Sequence, residues 1–230
     1  YANDSVFYLK NGLGQFLSRF LNTNSDFVST FENSGNGRYH YSSWIFSVKR
    51  EIFFSERYQR FFNGIFDIKN KFYSIHFGEH RFSKLLLSIT DSIEAIFSND
   101  SLLRMIDEIK IEKEFIKVFD SEPLRDFKGT CQPKYFNQEN YSNWLKLNLW
   151  LCSPIHVFGV FLVKNGKLPV IKKDLYWSQW HHQYSSLGVV QELIAECESA
   201  DVAIHVRNYF IRRGRLRDGT LTQKLQSRLG

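Results

Sequence analysis

Tyr39-His40-Tyr41-Ser42-Ser43-Trp44-Ile45-Phe46-Ser47-Val48 reads as one long strand. Aromatic and β-branched side chains suit a pleated, half-buried surface, and no glycine or proline interrupts them. Upstream, Asn33-Ser34-Gly35-Asn36-Gly37 has the composition of a flexible turn, and Asp26-Phe27-Val28-Ser29-Thr30 before it is a second strand. Gln15 to Leu21 is a short helix, with Phe16, Phe20 and Leu17, Leu21 at helical spacing. Downstream, Ser55 followed by Glu56 is a helix start, and Tyr58, Phe61, Phe62, Ile65 and Phe66 recur as on a buried helical face. Phe72 to Phe77 is a strand, and a helix begins near Glu79 with Phe82, Leu85, Leu86 and Ile89 as its apolar stripe. Strands alternating with helices predict an α/β class.

Beyond this region Asp91 to Phe119 reads as helical, with breaks near Asn99-Asp100. Ser121 to Gln138 holds two of the four prolines and reads as a loop. Trp144 to Trp150 is helical, and Lys164 to Pro169 turns into the short strand Val170-Ile171. Two helices close the chain: Val189 to Cys197, and one capped by Ser199 with Val202, Val206, Tyr209 and Phe210 on one face.

A chain of 230 residues is long enough to bury a substantial core, and 22 Phe with 11 Tyr predict an aromatic one. No apolar run reaches the roughly 18–20 residues that cross a bilayer. The longest, Leu145 to Val163, is broken by Lys146, Asn148, Pro154 and His156. Cys131, Cys152 and Cys197 have neither disulfide nor zinc spacing, so they are expected to be reduced thiols. The net charge of +6 points to an anionic partner, and nucleotide sugars, phospholipid head groups and nucleic acids all qualify. P-loop, dinucleotide-binding, zinc-cluster and nucleophile-elbow motifs are all missing from the sequence.

Several residues have chemistry beyond packing. Asn3-Asp4-Ser5 fits a turn, since these side chains bond nearby backbone, and equally a strand end where a carboxylate meets a divalent cation. Glu79 suits a helix start electrostatically and also suits a general base. His40 lies in the long strand, and Lys172-Lys173-Asp174 follows the last one as a charge run or a diphosphate clamp. Trp180-His181-His182 does not make a metal site, because adjacent residues point in different directions. Arg207, Arg212, Arg213, Arg215 and Arg217, interleaved with Tyr209, Phe210 and Ile211, fit a solvated basic tail or a basic amphipathic helix on anionic lipid.

The order of these pieces carries a resemblance. It runs from Asn3-Asp4-Ser5 to Asp26-Phe27, then to Tyr39-His40 with Ser43, Trp44 and Phe46. Phe61-Phe62 follows, then Glu79 with Phe82 and Ser83. Asn140, Trp144 and Pro169-Val170-Ile171-Lys172-Lys173-Asp174-Leu175 continue it. Over about residues 1 to 176 this order resembles the rhamnan synthesis protein F family of polysaccharide glycosyltransferases, with Ser42 where that family usually has glutamine.

The resemblance implies a GT-A-like, Rossmann-related sheet flanked by helices. A catalytic domain would span residues 1–178 and a helical basic tail residues 179–230, with a nucleotide-binding βα segment before Tyr1. It implies transfer of a sugar, often rhamnose, from a nucleotide-diphosphate donor to a growing polysaccharide on a lipid-linked saccharide acceptor. Asp4 and Glu79 would be catalytic, with Asp4 holding a divalent cation (Mg or Mn), and Asn3, Ser5, His40, Ser43, Lys172 and Lys173 would bind substrate. The enzyme would work in the cytoplasm at the inner face of the cell membrane, on an anionic surface, without nucleic acid. The competing expectation is a basic non-enzymatic module that binds nucleic acid or a protein partner.

Overall fold

Every strand of the first sheet pairs with β2, Phe27–Asn33. The structure, a computed structural model, describes residues 6–9, 11–34, 39–64, 78–108, 138–150, 153–173 and 193–212. It is a mixed α/β chain with small mixed sheets. The chain divides into two units: residues 1–3, 17–105 and 149–154 form the first, and residues 4–16, 106–148 and 155–230 the second.

In the first unit β4 (Phe46–Val48) lies antiparallel to β2, with Phe27 opposite Val48, and β5 (Ile93–Phe97) runs parallel to β2, with Phe27 opposite Ile93. The same residues of β2 pair with both, so β4 and β5 flank it. The sequence predicts helix from Asp91 onward; the segment Ile93–Phe97 is instead a strand, and helix α5 runs only over Asn99–Glu108. Glu94 and Ala95 favour helix in isolation, but the parallel ladder to a buried central strand overrides that preference.

The predicted strand Tyr39–Val48 is also corrected, because it divides into β3 (His40–Tyr41) and β4. Between the pairs Ser29–Phe46 and Glu32–Tyr41, β2 advances three residues while its partner retreats five. Two extra residues are therefore accommodated at Ser42 to Ile45, and buried hydroxyls satisfy the backbone there. Thr30 Oγ1 donates to Ile45 O (2.8 Å), Ser29 Oγ donates to Ser42 O (2.9 Å), and Ser42 Oγ accepts from Phe31 N (3.0 Å).

One aromatic cluster of this unit holds Phe27, Tyr41, Phe46, Tyr58, Phe82 and Leu86. Helix α2 is Arg50–Phe53, and α3, Glu56–Asn63, starts where predicted, with Ser55 Oγ accepting from Tyr58 N. Tyr58 is buried, Phe62 is 39% exposed, and the helix ends at Gly64, so Ile65 and Phe66 of the predicted face lie outside the described residues, as does the predicted strand Phe72–Phe77. Helix α4, Arg81–Ile89, buries Phe82 and Leu86, as its stripe predicted. Phe82 meets the rings of Phe27, Phe46, Tyr58, Phe61 and Phe62. Asp26 closes the opposite end of the sheet, with Oδ1 on Lys49 Nζ (2.8 Å) and Oδ2 accepting from Asp91 N (2.8 Å) and Ser92 N (3.3 Å).

The second unit pairs β1 (Val6–Tyr8) antiparallel with β6 (Val170–Lys172), Phe7 opposite Ile171. Helix α1, Leu13–Leu21, passes from this unit into the first. Helices α6, Gln138–Leu149, and α7, Pro154–Lys164, follow; Pro154 stands at the first helical position, where a missing N–H costs nothing. Phe158, Phe161, Leu162 and Val163 of α7 are buried, and the predicted turn into β6 uses Gly166 at φ +66°. Helix α8, Ala200–Arg212, is capped by Ser199 as predicted. Of its apolar face Val206 is buried, and Tyr209 meets the ring of Phe7 in the same unit edge-on (5.0 Å). Among the described residues no helix is long and apolar enough to cross a membrane.

Candidate functional site

Glu79 sits in a wide π-type turn, residues 78–80, directly before α4. Such turns present side chains at angles a regular helix does not, and they are frequent at functional sites. Two contacts fix its place. Ser83, one turn into α4, donates from Oγ to Glu79 O (2.9 Å) and accepts from Tyr41 N (2.9 Å), which ties β3 to the helix start. Phe82, between them, anchors that helix start in the aromatic core. The spacing Glu79, Phe82, Ser83 thus has a physical reason: one carboxylate, one core anchor and one strand tether.

The tether brings β3 and the interruption after it against the carboxylate. Ser43 Oγ donates to Glu79 Oε1 (3.1 Å), and His40 Nε2 lies 3.7 Å from Glu79 Oε2, an ion-pair distance beyond hydrogen-bond reach. The side chains of His40 and Glu79 are 14% and 24% exposed, enough for a substrate to touch. His80 meets the His40 ring edge-on at 4.6 Å. The sequence selected Glu79, His40 and Ser43 separately, and the fold gathers them into one cluster. His80 was passed over; its place directly after Glu79 in the turn was the only available signal.

Beside this cluster Tyr39 donates to Glu32 Oε2 (2.9 Å) and lies 2.9 Å from the Tyr41 hydroxyl, while Glu32 Oε1 accepts from Asn99 N (2.7 Å). Burial, with the neighbouring Tyr41 and Glu32, pushes the Tyr39 phenol far up, and burial raises Tyr41 too. Both stay neutral, which makes them hydrogen-bonding groups here and not proton shuttles.

Lys172 and Lys173 belong to the second unit. Lys172 closes β6 opposite Val6, and Lys173 Nζ lies 5.2 Å over the Phe7 ring. Asn3, Asp4 and Ser5 lie outside the described residues, as do His181 and His182. Among the described residues no group of three or more His, Cys, Asp or Glu is placed to hold a metal ion, and Asp4, where the resemblance puts a cation, is not one of them. No protein-family model, no curated protein and no solved structure matches this chain.

Proposed function

We propose that this chain is the catalytic region of a glycosyltransferase that builds a polysaccharide from a nucleotide-diphosphate sugar. The observation that carries the reading is the convergence of Ser43, His40 and Glu79, three residues of the glycosyltransferase-like motif order, on one carboxylate. The mixed sheet supports it, since ligands of open α/β sheets bind beyond the carboxyl ends of strands, where β2 delivers this cluster. A GT-A-like arrangement is part of the proposal.

Glu79 acts as the base. Ser43 holds Oε1, leaving Oε2 to take the proton of an acceptor hydroxyl as that oxygen attacks the anomeric carbon. The anomeric carbon–oxygen bond to the diphosphate breaks, and the nucleoside diphosphate leaves with the electron pair. His40, beside Oε2, lines the sugar. Arg207, Arg212, Arg213, Arg215 and Arg217 hold the enzyme to anionic lipid near its lipid-linked acceptor, an attraction that salt screens.

The test is release of nucleoside diphosphate by the natural full-length chain, given sugar nucleotides and a lipid-linked saccharide. Glu79→Gln keeps the Ser43 bond but cannot accept a proton, so turnover should fall by about 10²-fold or more with donor affinity unchanged. Near-normal turnover by Glu79→Gln would remove the base from this scheme. Salt-sensitive DNA or RNA binding without any sugar-nucleotide effect would replace the scheme with the basic-module reading.

A further inference from the structure

Among the described residues three buried side-chain atoms have no hydrogen-bond partner: Asn33 Oδ1, Asn99 Oδ1 and Trp44 Nε1. Orphaned buried polar groups are uncommon because each forfeits the water it left, so each calls for a missing partner. The two acceptors share one location. Asn33 is the last residue of β2, and Asn99 opens α5 just after β5. Those strands are parallel, so both asparagines stand at the carboxyl end of the pair. Asn99 Nδ2 donates to Ser34 Oγ (2.5 Å), which links the two positions. Asn33 directly opposes His40 in the ladder, so their side chains are cross-strand neighbours, and His40 in turn borders Glu79.

The unused hydrogen-bonding capacity of the two asparagines has one sign. At the start of α5, Asn99 N is engaged by Glu32 Oε1 (2.7 Å), Ser101 N by Ser98 Oγ (3.1 Å) and Leu102 N by Ser98 O (2.9 Å). What is left over on the asparagines is two amide oxygens, which only accept. A phosphate, itself only an acceptor, gains nothing from them. A ligand bearing several hydroxyls supplies the missing donors.

We propose that Asn33 and Asn99 read the hydroxyls of a sugar ring, forming the saccharide subsite beside Glu79. This rests on the glycosyl-transfer reading above and adds to it the residues that recognise the sugar as distinct from the nucleotide.

The test uses the natural full-length chain and its Asn33→Leu and Asn99→Leu variants, in which a side chain of similar volume replaces the orphaned amide. Calorimetry would titrate dTDP-rhamnose, UDP-glucose and GDP-mannose, each against its parent nucleoside diphosphate. For the sugar nucleotide that binds, Asn33→Leu should weaken affinity about tenfold or more, the usual worth of one good hydrogen bond. Affinity for the parent diphosphate should not change, and the variant should melt at or above the wild-type temperature, because an unpaired buried amide has been removed. Should Asn33→Leu fail to fold, the shorter Asn33→Ala carries the same comparison. Unchanged sugar-nucleotide affinity in both variants overturns this inference and leaves glycosyl transfer standing. Equal losses for sugar nucleotide and diphosphate together with a lower melting temperature overturn it as well, by showing a structural role. A wild-type chain that binds none of the three overturns the inference and the glycosyltransferase reading together.

Discussion

Ser42→Ala should destabilise the protein by about 2 kcal/mol, more than its size suggests. The Ser42 hydroxyl is buried in the interruption between β3 and β4, where it accepts from Phe31 N (3.0 Å) and lies 3.2 Å from Phe31 O. Phe31 O keeps the Ser42 backbone N–H (2.9 Å) and the Ser29 hydroxyl (2.9 Å) after the substitution, so it loses little. Phe31 N loses the Ser42 acceptor inside the core, and an unsatisfied buried group costs about 1–3 kcal/mol. Alanine leaves packing nearly intact, so nothing else offsets or enlarges that term. At roughly 2–4 °C per kcal/mol for a chain of this length, the melting temperature should fall by about 4–8 °C. Denaturant unfolding followed by tryptophan fluorescence would show a lower midpoint with an unchanged slope. Ser29→Ala is the control: Phe31 O keeps the Ser42 N–H and Ser42 O loses a donor, a shortfall that buried carbonyls bear better than N–H groups do, so the loss should cost about 1 kcal/mol or less. The reasoning fails if Ser42→Ala lies within about 0.5 kcal/mol of wild type, the ordinary scatter of harmless substitutions, or if Ser29→Ala proves the more damaging.

Phe82→Ala empties a site lined by five aromatic rings and should cost about 3–5 kcal/mol, read by the same unfolding assay; a loss below about 1.5 kcal/mol would mean the cluster can collapse onto the gap. The Asp26 carboxyl is held below the usual range, first by Lys49 and then by the N–H groups of Asp91 and Ser92, with burial opposing. Its contribution is therefore complete above the unfolded value of about 3.9 and is lost as pH falls through the lower folded value. Asp26→Asn should accordingly be less stable than wild type at about pH 7, with the gap narrowing towards about pH 2; a gap that stays constant with pH would show that the charge is not what matters. The Glu79→Gln turnover assay and the Asn33→Leu titrations complete the set.

Much of the fold was legible where local and tertiary preferences agree. The Ser55 cap, the α4 stripe, the turn at Gly166 and the Ser199 cap all stand where the residues placed them. Two of the misreadings share a cause, namely partners distant in sequence. Ile93–Phe97 becomes a strand only because β2 lies alongside it, more than sixty residues earlier in the chain. The break inside Tyr39–Val48 needs no glycine, because the hydroxyls of Ser29, Thr30 and Ser42 satisfy the backbone from both sides. Ser42 was readable only as a departure from a motif, whereas in the fold it is the residue that holds the interruption. Glu79, His40 and Ser43 were legible as elements of an ordered motif, but their adjacency depends on the Ser83 tether. Asn33 read as turn and Asn99 as helix break, since an unmet hydrogen bond is invisible until burial is known.

The pairing of β1 with β6 sets a schedule for synthesis. About 160 residues separate Tyr8 from Val170, so at ribosomal rates of about 5–20 residues per second β1 emerges roughly 8–32 s before its partner exists. Within that interval β2, β3, β4 and β5 can already assemble, since the segment that holds them ends at Phe97, well before Val170. Phe7 and Val6, which end fully packed, must wait as an open, apolar strand edge on the nascent chain. Among the described strands β1 is the first to be made and the last to be closed, and in the cell it is a natural holding point for a chaperone.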